Sequence, residues 1–208
     1  MEAYSVLELV NARKGHFLFE SGHHGDLWLD LATLCLRPAL LKAPVAELAE
    51  QLAGLNVDAV CGPLVEGAFV GLMVATELEI PFTYSERFAR PAQDGLFPRG
   101  YRVPSVLEEV VRGKRVAIVN DVINAGSAVK GTYEDLRRCG ATVVAIGALL
   151  VLGSAASEFA ADRGIDLVSL AALPNNLWTA GECPLCEAGV PLLDIEGFGA
   201  AFTGLEGT

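Results

Sequence analysis

Asp121 is the residue best placed to do chemistry. It ends the run Val116-Ala117-Ile118-Val119-Asn120-Asp121, and the short loop after it closes at Gly126-Ser127. Residues 128–139 then carry Val129, Tyr133 and Leu136 at helical spacing, with Gly140 as the stop. The pattern predicts a buried strand, a polar tip, a tight loop and a helix. A loop entering a helix N-terminus offers unpaired N–H groups to an anion, and the helix dipole adds to the attraction. An acid just ahead of that loop can hold sugar hydroxyls or a phosphate-bound metal. Together these features point to a phosphorylated sugar. An ordinary β–α connection uses the same residue types, because Asp, Asn and Gly are common turn formers.

A second glycine-bounded loop, Gly62-Pro63-Leu64-Val65-Glu66-Gly67, follows the apolar stretch 57–61 and leads into a helix expected over 68–79. Cations are concentrated between the two loops. Arg87, Arg90, Arg99, Arg102, Arg112, Lys114 and Arg115 are seven of the 15 basic residues. An acidic chain with one basic segment can hold a small polyanion there. A surface loop that needs charge to stay soluble would look the same, and Arg112, Lys114 and Arg115, just ahead of a buried strand, suit that reading.

Positioning these groups takes a regular frame. Residues 5–13 read as a short helix, and 16–20 and 26–31 as a hairpin around Ser21-Gly22-His23-His24-Gly25. A helix is expected over 39–53 with Pro44 near its first turn, and strands over 57–61 and 80–84. Residues 85–105 hold prolines, glycines and arginines and read as one long irregular, functional loop. Strand 142–152, helix 155–163 and strand 165–173 complete the pattern. Alternating β and α with nearly continuous apolar strands implies an α/β fold, a Rossmann-like parallel sheet covered on both faces. Ligands of such sheets bind beyond the C-terminal ends of the strands, where loops 62–67 and 121–127 both leave.

Composition sets the outer bounds. A chain of 208 residues reads as one domain with a real core. Hydrophobic residues make up 52%, but no apolar run reaches membrane-spanning length. The start Met1-Glu2-Ala3-Tyr4 lacks the basic region and apolar core of a secretory signal, so the expectation is a soluble cytoplasmic protein with no membrane partner. A net charge of −11 argues against nucleic acid, whose binding is driven by phosphate neutralisation. Five cysteines in such a chain do not suggest a disulfide framework. Cys35, Cys61 and Cys139 have core contexts. Cys183-Pro184-Leu185-Cys186 has the spacing of half a zinc site. With no second Cys pair and the histidines far off at 16, 23 and 24, a metal would need two chains. A free thiol pair or a disulfide are the other readings.

The ordered set of motifs resembles the type I phosphoribosyltransferases, most closely the orotate branch, over residues 5 to 194. Residues 15–24, Gly-His-Phe-Leu-Phe-Glu-Ser-Gly-His-His, are similar to that family's N-terminal hood over the base. Residues 62–67 resemble its pyrophosphate loop, and 85–101 its flexible catalytic loop. Residues 116–127 resemble its phosphoribosyl pyrophosphate (PRPP) motif, and 182–192 the C-terminus of one branch. The resemblance implies a parallel-sheet core over about 37–173, with a hood over about 1–36 and a tail over about 174–208. It implies transfer of ribose 5-phosphate from Mg-PRPP to a pyrimidine or related base, with pyrophosphate leaving through an oxocarbenium-like transition state. Asp121, Arg87 and Arg90 would be the catalytic groups, with Asp121 also serving Mg²⁺ indirectly. PRPP would lie on Asn120, Asp121, Asn124, Ala125, Gly126, Ser127 and Ala128, and on Leu64, Val65, Glu66 and Gly67. The base would lie on Phe19, Glu20 and His23. The partners implied are PRPP, a nucleobase and a second copy in a homodimer.

The departures fall at ligand positions. Asn120 replaces the first of two acids, and Asn124-Ala125 replaces part of a hydroxyl-rich loop. Glu66 stands where a small or basic residue is usual, Leu31 where a lysine is, and Gly153-Ser154 where an Asp-Arg pair would hold orotate. These changes motivate the alternative of a non-catalytic PRPP- or nucleotide-binding regulatory relative.

Overall fold

Two long apolar strands, β6 (Arg115–Ile123) and β7 (Thr142–Leu152), lie side by side in a six-stranded sheet. The structure is a computed structural model describing residues 6–18, 24–29, 34–89 and 99–193. The chain divides into two compact units, one of Met1–Val10 with Leu31–Pro174 and the other of Asn11–Asp30 with Asn175–Thr208.

In the larger unit the remaining strands are β3 (Ala59–Pro63), β4 (Phe82–Ala89), β5 (Arg99–Arg102) and β8 (Asp166–Leu173). The sheet order is β5-β4-β3-β6-β7-β8. All neighbours run parallel except β4 and β5, which form an antiparallel edge. Its helices are α1 (Val6–Leu9), α2 (Pro38–Ala53), α3 (Glu66–Glu77), α4 (Glu108–Val111), α5 (Ser127–Arg138) and α6 (Ala155–Ala161).

Side-chain alternation along the strands explains why both sheet faces are covered. Ala59 and Cys61 join a buried cluster with Ile118, Val129, Leu136 and Phe159, on the face packed by α5 and α6. Val60 and Val119 point the other way. Glycines let the helices of that face approach: a Cβ on Gly71 of α3 would meet Val60 Cγ1 at 3.4 Å, and one on Gly147 of β7 would meet Leu52 of α2 at 3.1 Å. Strands buried on both faces need no polar alternation, which is why they read as apolar runs.

The smaller unit contains a three-stranded antiparallel sheet of β1 (Arg13–Leu18), β2 (His24–Trp28) and β9 (Leu177–Trp178), in the order β1-β2-β9. Helix α7 (Pro184–Glu187) follows. Asn176 Nδ2 donates to Asp26 Oδ2 at 2.8 Å, and Leu193 N donates to the His16 carbonyl at 2.7 Å, so the C-terminal stretch is laced to the hairpin.

Several boundaries differ from the sequence reading. The first helix is one turn long, and the hairpin strands begin earlier than expected. Pro44 lies inside α2, past its first turn; Pro38 is the proline that opens the helix. The expected loop 85–105 is in large part structured, because β4 extends to Ala89 and pairs with β5 in register Arg87↔Tyr101. Among the described residues, no helix is long and apolar enough to cross a membrane.

Candidate active site at the switch point of the sheet

The strand order places β3 and β6 side by side while their connections run outward in opposite directions. Such a switch point opens a crevice beyond the strand ends. Loops 62–67 and 121–127 both leave there. They are close neighbours: a Cβ added to Gly67 would collide with Asn120 Oδ1. Gly62 is needed for a related reason, since its Cβ would meet the Gly67 carbonyl oxygen and Ala68 Cα, each at 2.6 Å.

Asp121 is buried in β6 with 6% of its surface exposed. Burial, with a smaller contribution from the negative charge of Glu66, pushes its carboxyl up to about 6 despite opposing backbone hydrogen bonds. The same two acids add to the effect of burial in raising the thiol of Cys35. A buried carboxylate repelled by a second acid fits a position that meets a divalent cation or sugar hydroxyls.

Asn120 has its side-chain amide engaged within the seam between the two loops. Its Nδ2 donates to the Val122 carbonyl at 2.8 Å, and its Oδ1 faces Gly67. Because a carbonyl only accepts, an aspartate here would set oxygen against oxygen. That gives a local reason for the amide at this position.

Asn124 and Ala125 are exposed, and Gly126 caps α5 in the left-handed region at φ 75°. Ser127 and Ala128 open the helix, and no side chain caps it. The first-turn N–H groups therefore face the loop mouth without an intrahelical acceptor. Across the crevice Leu64 and Val65 are exposed, joined by a cis peptide, and Glu66 and Gly67 begin α3. Ser154 is exposed ahead of α6. Arg87 is exposed on β4 rather than in a loop. Arg90, Leu31, Phe19, Glu20 and His23 lie outside the described residues.

Sequence reasoning missed one cation. Lys130 lies one helical turn past Gly126, its Nζ donating to the Ala125 carbonyl at 3.2 Å. The spacing of four from the capping glycine was the available signal. A separate cleft of about 750 Å³ is lined by Glu86, Tyr101, Arg102, Glu134, Asp135 and Arg138 among others. It opens at the last turns of α5, the opposite end from Gly126, and its mixed charges do not suit a polyanion.

In the smaller unit the premise that the histidines lie far from Cys183 and Cys186 is overturned. His16 and His24 lie with them, all four ligand atoms within 4.8 Å of one another, so no second chain is needed to complete a four-ligand set.

A doubly covered parallel sheet whose switch point carries a glycine-capped helix N-terminus, a buried acid and a second glycine turn defines an α/β protein with its candidate ligand crevice at the switch point. Comparison with known proteins is specific. The sequence model of the phosphoribosyl transferase domain matches residues 37–183. The chain is 31% identical over 195 residues to the orotate phosphoribosyltransferase of Caldanaerobacter subterraneus subsp. tengcongensis, covering 93% of each. It is 30% identical to that of Thermotoga maritima, covering 89% of this chain and 92% of the relative. The crystal structure of orotate phosphoribosyltransferase from Aeropyrum pernix superposes with a TM-score of 0.61 at 26% identity, over 81% of this chain and 92% of that one. The chain belongs to the phosphoribosyltransferase family.

Proposed function

We propose that this protein is an orotate-type phosphoribosyltransferase of pyrimidine nucleotide synthesis. The observation that carries the reading is the meeting of the two loops across β3 and β6, with Asp121 at the seam. The relatives named above support the choice of base, and nothing at the site favours the non-catalytic alternative.

In this reading the first-turn N–H groups of α5, the backbone of 124–126 and the Lys130 ammonium hold the 5-phosphate. Ser127 and Ala128 contribute through their backbones. Asp121 accepts from the ribose hydroxyls. The turn Leu64-Val65-Glu66-Gly67 holds the pyrophosphate, and Arg87 and Arg90 neutralise it as it leaves. Phe19, Glu20 and His23 serve the base. Magnesium, bound to the substrate's diphosphate, supplies charge neutralisation. A ring nitrogen of the base forms the new bond to C1 of the ribose as the bond from C1 to the pyrophosphate oxygen breaks, and the proton of that nitrogen is released to solvent. The family resemblance supports a cytoplasmic homodimer.

Calorimetric titration with Mg-PRPP, followed by orotate depletion and pyrophosphate release, tests the reading. Binding together with depletion that Asp121→Ala abolishes is the expected result. Binding without orotate consumption would remove the assignment of the base, and turnover indifferent to Asp121→Ala would remove the site.

A further inference from the structure

We infer that His16, His24, Cys183 and Cys186 form an intramolecular zinc site in the smaller unit. The four residues come from three elements: His16 from β1, His24 from β2, and the Cys pair from the turn around α7. His16, His24 and Cys183 are buried, with 1%, 7% and 3% of their surfaces exposed, while Cys186 is at the surface.

The ring nitrogens identify the ligand atoms. His16 Nδ1 lies 2.7 Å from the Val190 carbonyl oxygen, which can only accept, so Nδ1 carries the proton and Nε2 presents a lone pair. That lone pair faces His24 Nδ1 at 2.8 Å, Cys183 Sγ at 3.4 Å and Cys186 Sγ at 3.7 Å. Cys186 Sγ is also 3.2 Å from His24 Nδ1. In a tetrahedral zinc centre with Zn–N near 2.0 Å and Zn–S near 2.3 Å, the N···N edge is about 3.3 Å and the N···S edges are about 3.5 Å. The nitrogen–sulfur separations bracket that value. The nitrogen pair sits at hydrogen-bond distance and would open by about 0.5 Å around an ion. The Val190 contact is the partner that a metal-bound imidazole ordinarily has on its other nitrogen.

Charge supports the same ion. Two thiolates and two neutral imidazoles around Zn²⁺ sum to zero, so the centre can be buried without an uncompensated charge. Binding releases the two thiol protons to solvent, and the proton between the histidines moves from His24 Nδ1 to Nε2. Mixed sulfur and imidazole ligation in a tetrahedral set selects zinc over magnesium or calcium. The unit has a clear use for such an ion. It is small, is assembled from two stretches far apart in the chain, and its sheet is completed by a two-residue strand. Units of this size commonly need a metal or disulfide to hold together.

The test uses the full-length protein purified without chelator. Elemental analysis should find about one zinc per chain. Cobalt replacement should give the intense visible bands of a tetrahedral ion and a thiolate charge-transfer band in the near ultraviolet. Cys186→Ser, at the surface, and His24→Ala should each lose the metal or its charge-transfer signature, and chelation of the wild type should lower its melting temperature. Metal below about half an equivalent with no cobalt spectrum would overturn the inference. So would a Cys183–Cys186 disulfide in protein purified under reducing conditions, or a zinc shared between two chains in native mass spectrometry.

Discussion

At the scale of single residues, the site is built around one uncomfortable acid. The Asp121 carboxyl stands at about 6, above its ordinary 3.8, chiefly because it is buried. A raised acid stabilises the fold fully below its unfolded pKa, and that contribution is lost as pH rises toward and through the folded value. The full difference is about 3 kcal/mol, and some 1 kcal/mol of it is lost between pH 5 and pH 8. Asp121→Asn should therefore be more stable than the wild type in urea unfolding, with an advantage that grows by about 1 kcal/mol over that interval. An advantage that is constant with pH would show that Asp121 is not the titrating group. Asn120 makes the complementary case. Replacing it with aspartate restores an acid pair in the sequence, yet the new oxygen would face the Val122 carbonyl at the position now occupied by a donor 2.8 Å away. Asn120→Asp should cost about 1–3 kcal/mol of unfolding free energy at pH 7, the penalty of an unmade buried hydrogen bond.

At the scale of elements, α5 organises the site from both ends. Its capping glycine and first turn form the loop to which we assign the phosphate. Its middle and last turns receive the β4–β5 hairpin, through Ser85 Oγ and Thr132 Oγ1 at 2.6 Å and through Val103 N donating to Asp135 Oδ2 at 2.7 Å. Asp135 in turn holds Arg138, which reaches Glu108 at 2.9 Å. Tyr101 lies against Gly131, where an added Cβ would meet ring atom Cδ2 at 2.8 Å and Cβ at 3.2 Å. Alanine in a helix normally gains about 0.5–1 kcal/mol over glycine, whereas overpacking costs about 1–3. Gly131→Ala should thus be destabilising alone and stabilising in the background of Tyr101→Ala, a sign change that chemical denaturation of the two pairs would read. The composition of 85–105 concealed this hairpin, because its partner residues are proline- and arginine-rich neighbours whose pairing is set by register rather than by apolar pattern. Strand β7 was legible to the residue, since an apolar run carrying Val143, Val144, Ile146 and Val151 is bounded by Gly140 and Gly153. The polar Asn120-Asp121 pair, by contrast, reads as a strand tip, but β6 continues through it because Val122 and Ile123 still pair with Leu150 and Val151.

At the scale of the whole molecule, the hairpin of the smaller unit was readable from local signals, but its closure by the C-terminal stretch was not. Each loop of the sugar-phosphate site is announced by the strand before it and the helix after it, so sequence order alone places both at one sheet edge. The histidine–cysteine cluster joins residues as far apart as 170 positions, between His16 and Cys186, and neither short β1 nor short β2 advertises a partner near the C-terminus. Stability should be divided between the two units. The larger unit rests on strands buried on both faces, whereas the smaller one rests on short strands and, in our reading, on a bound ion. Regions with few buried apolar residues open locally at lower free energy than the global unfolding transition. Chelation of the full-length protein should accordingly speed amide hydrogen exchange in 13–18, 24–28 and 177–190 by an order of magnitude or more, while exchange in 115–123 and 142–152 stays unchanged, since those amides open only with the larger core. Zinc, added back, should restore protection, and Cys186→Ser should show fast exchange with or without the chelator. Uniform acceleration across both units would mean that the two open together, and no acceleration anywhere would mean that the hairpin is held by its backbone pairing alone.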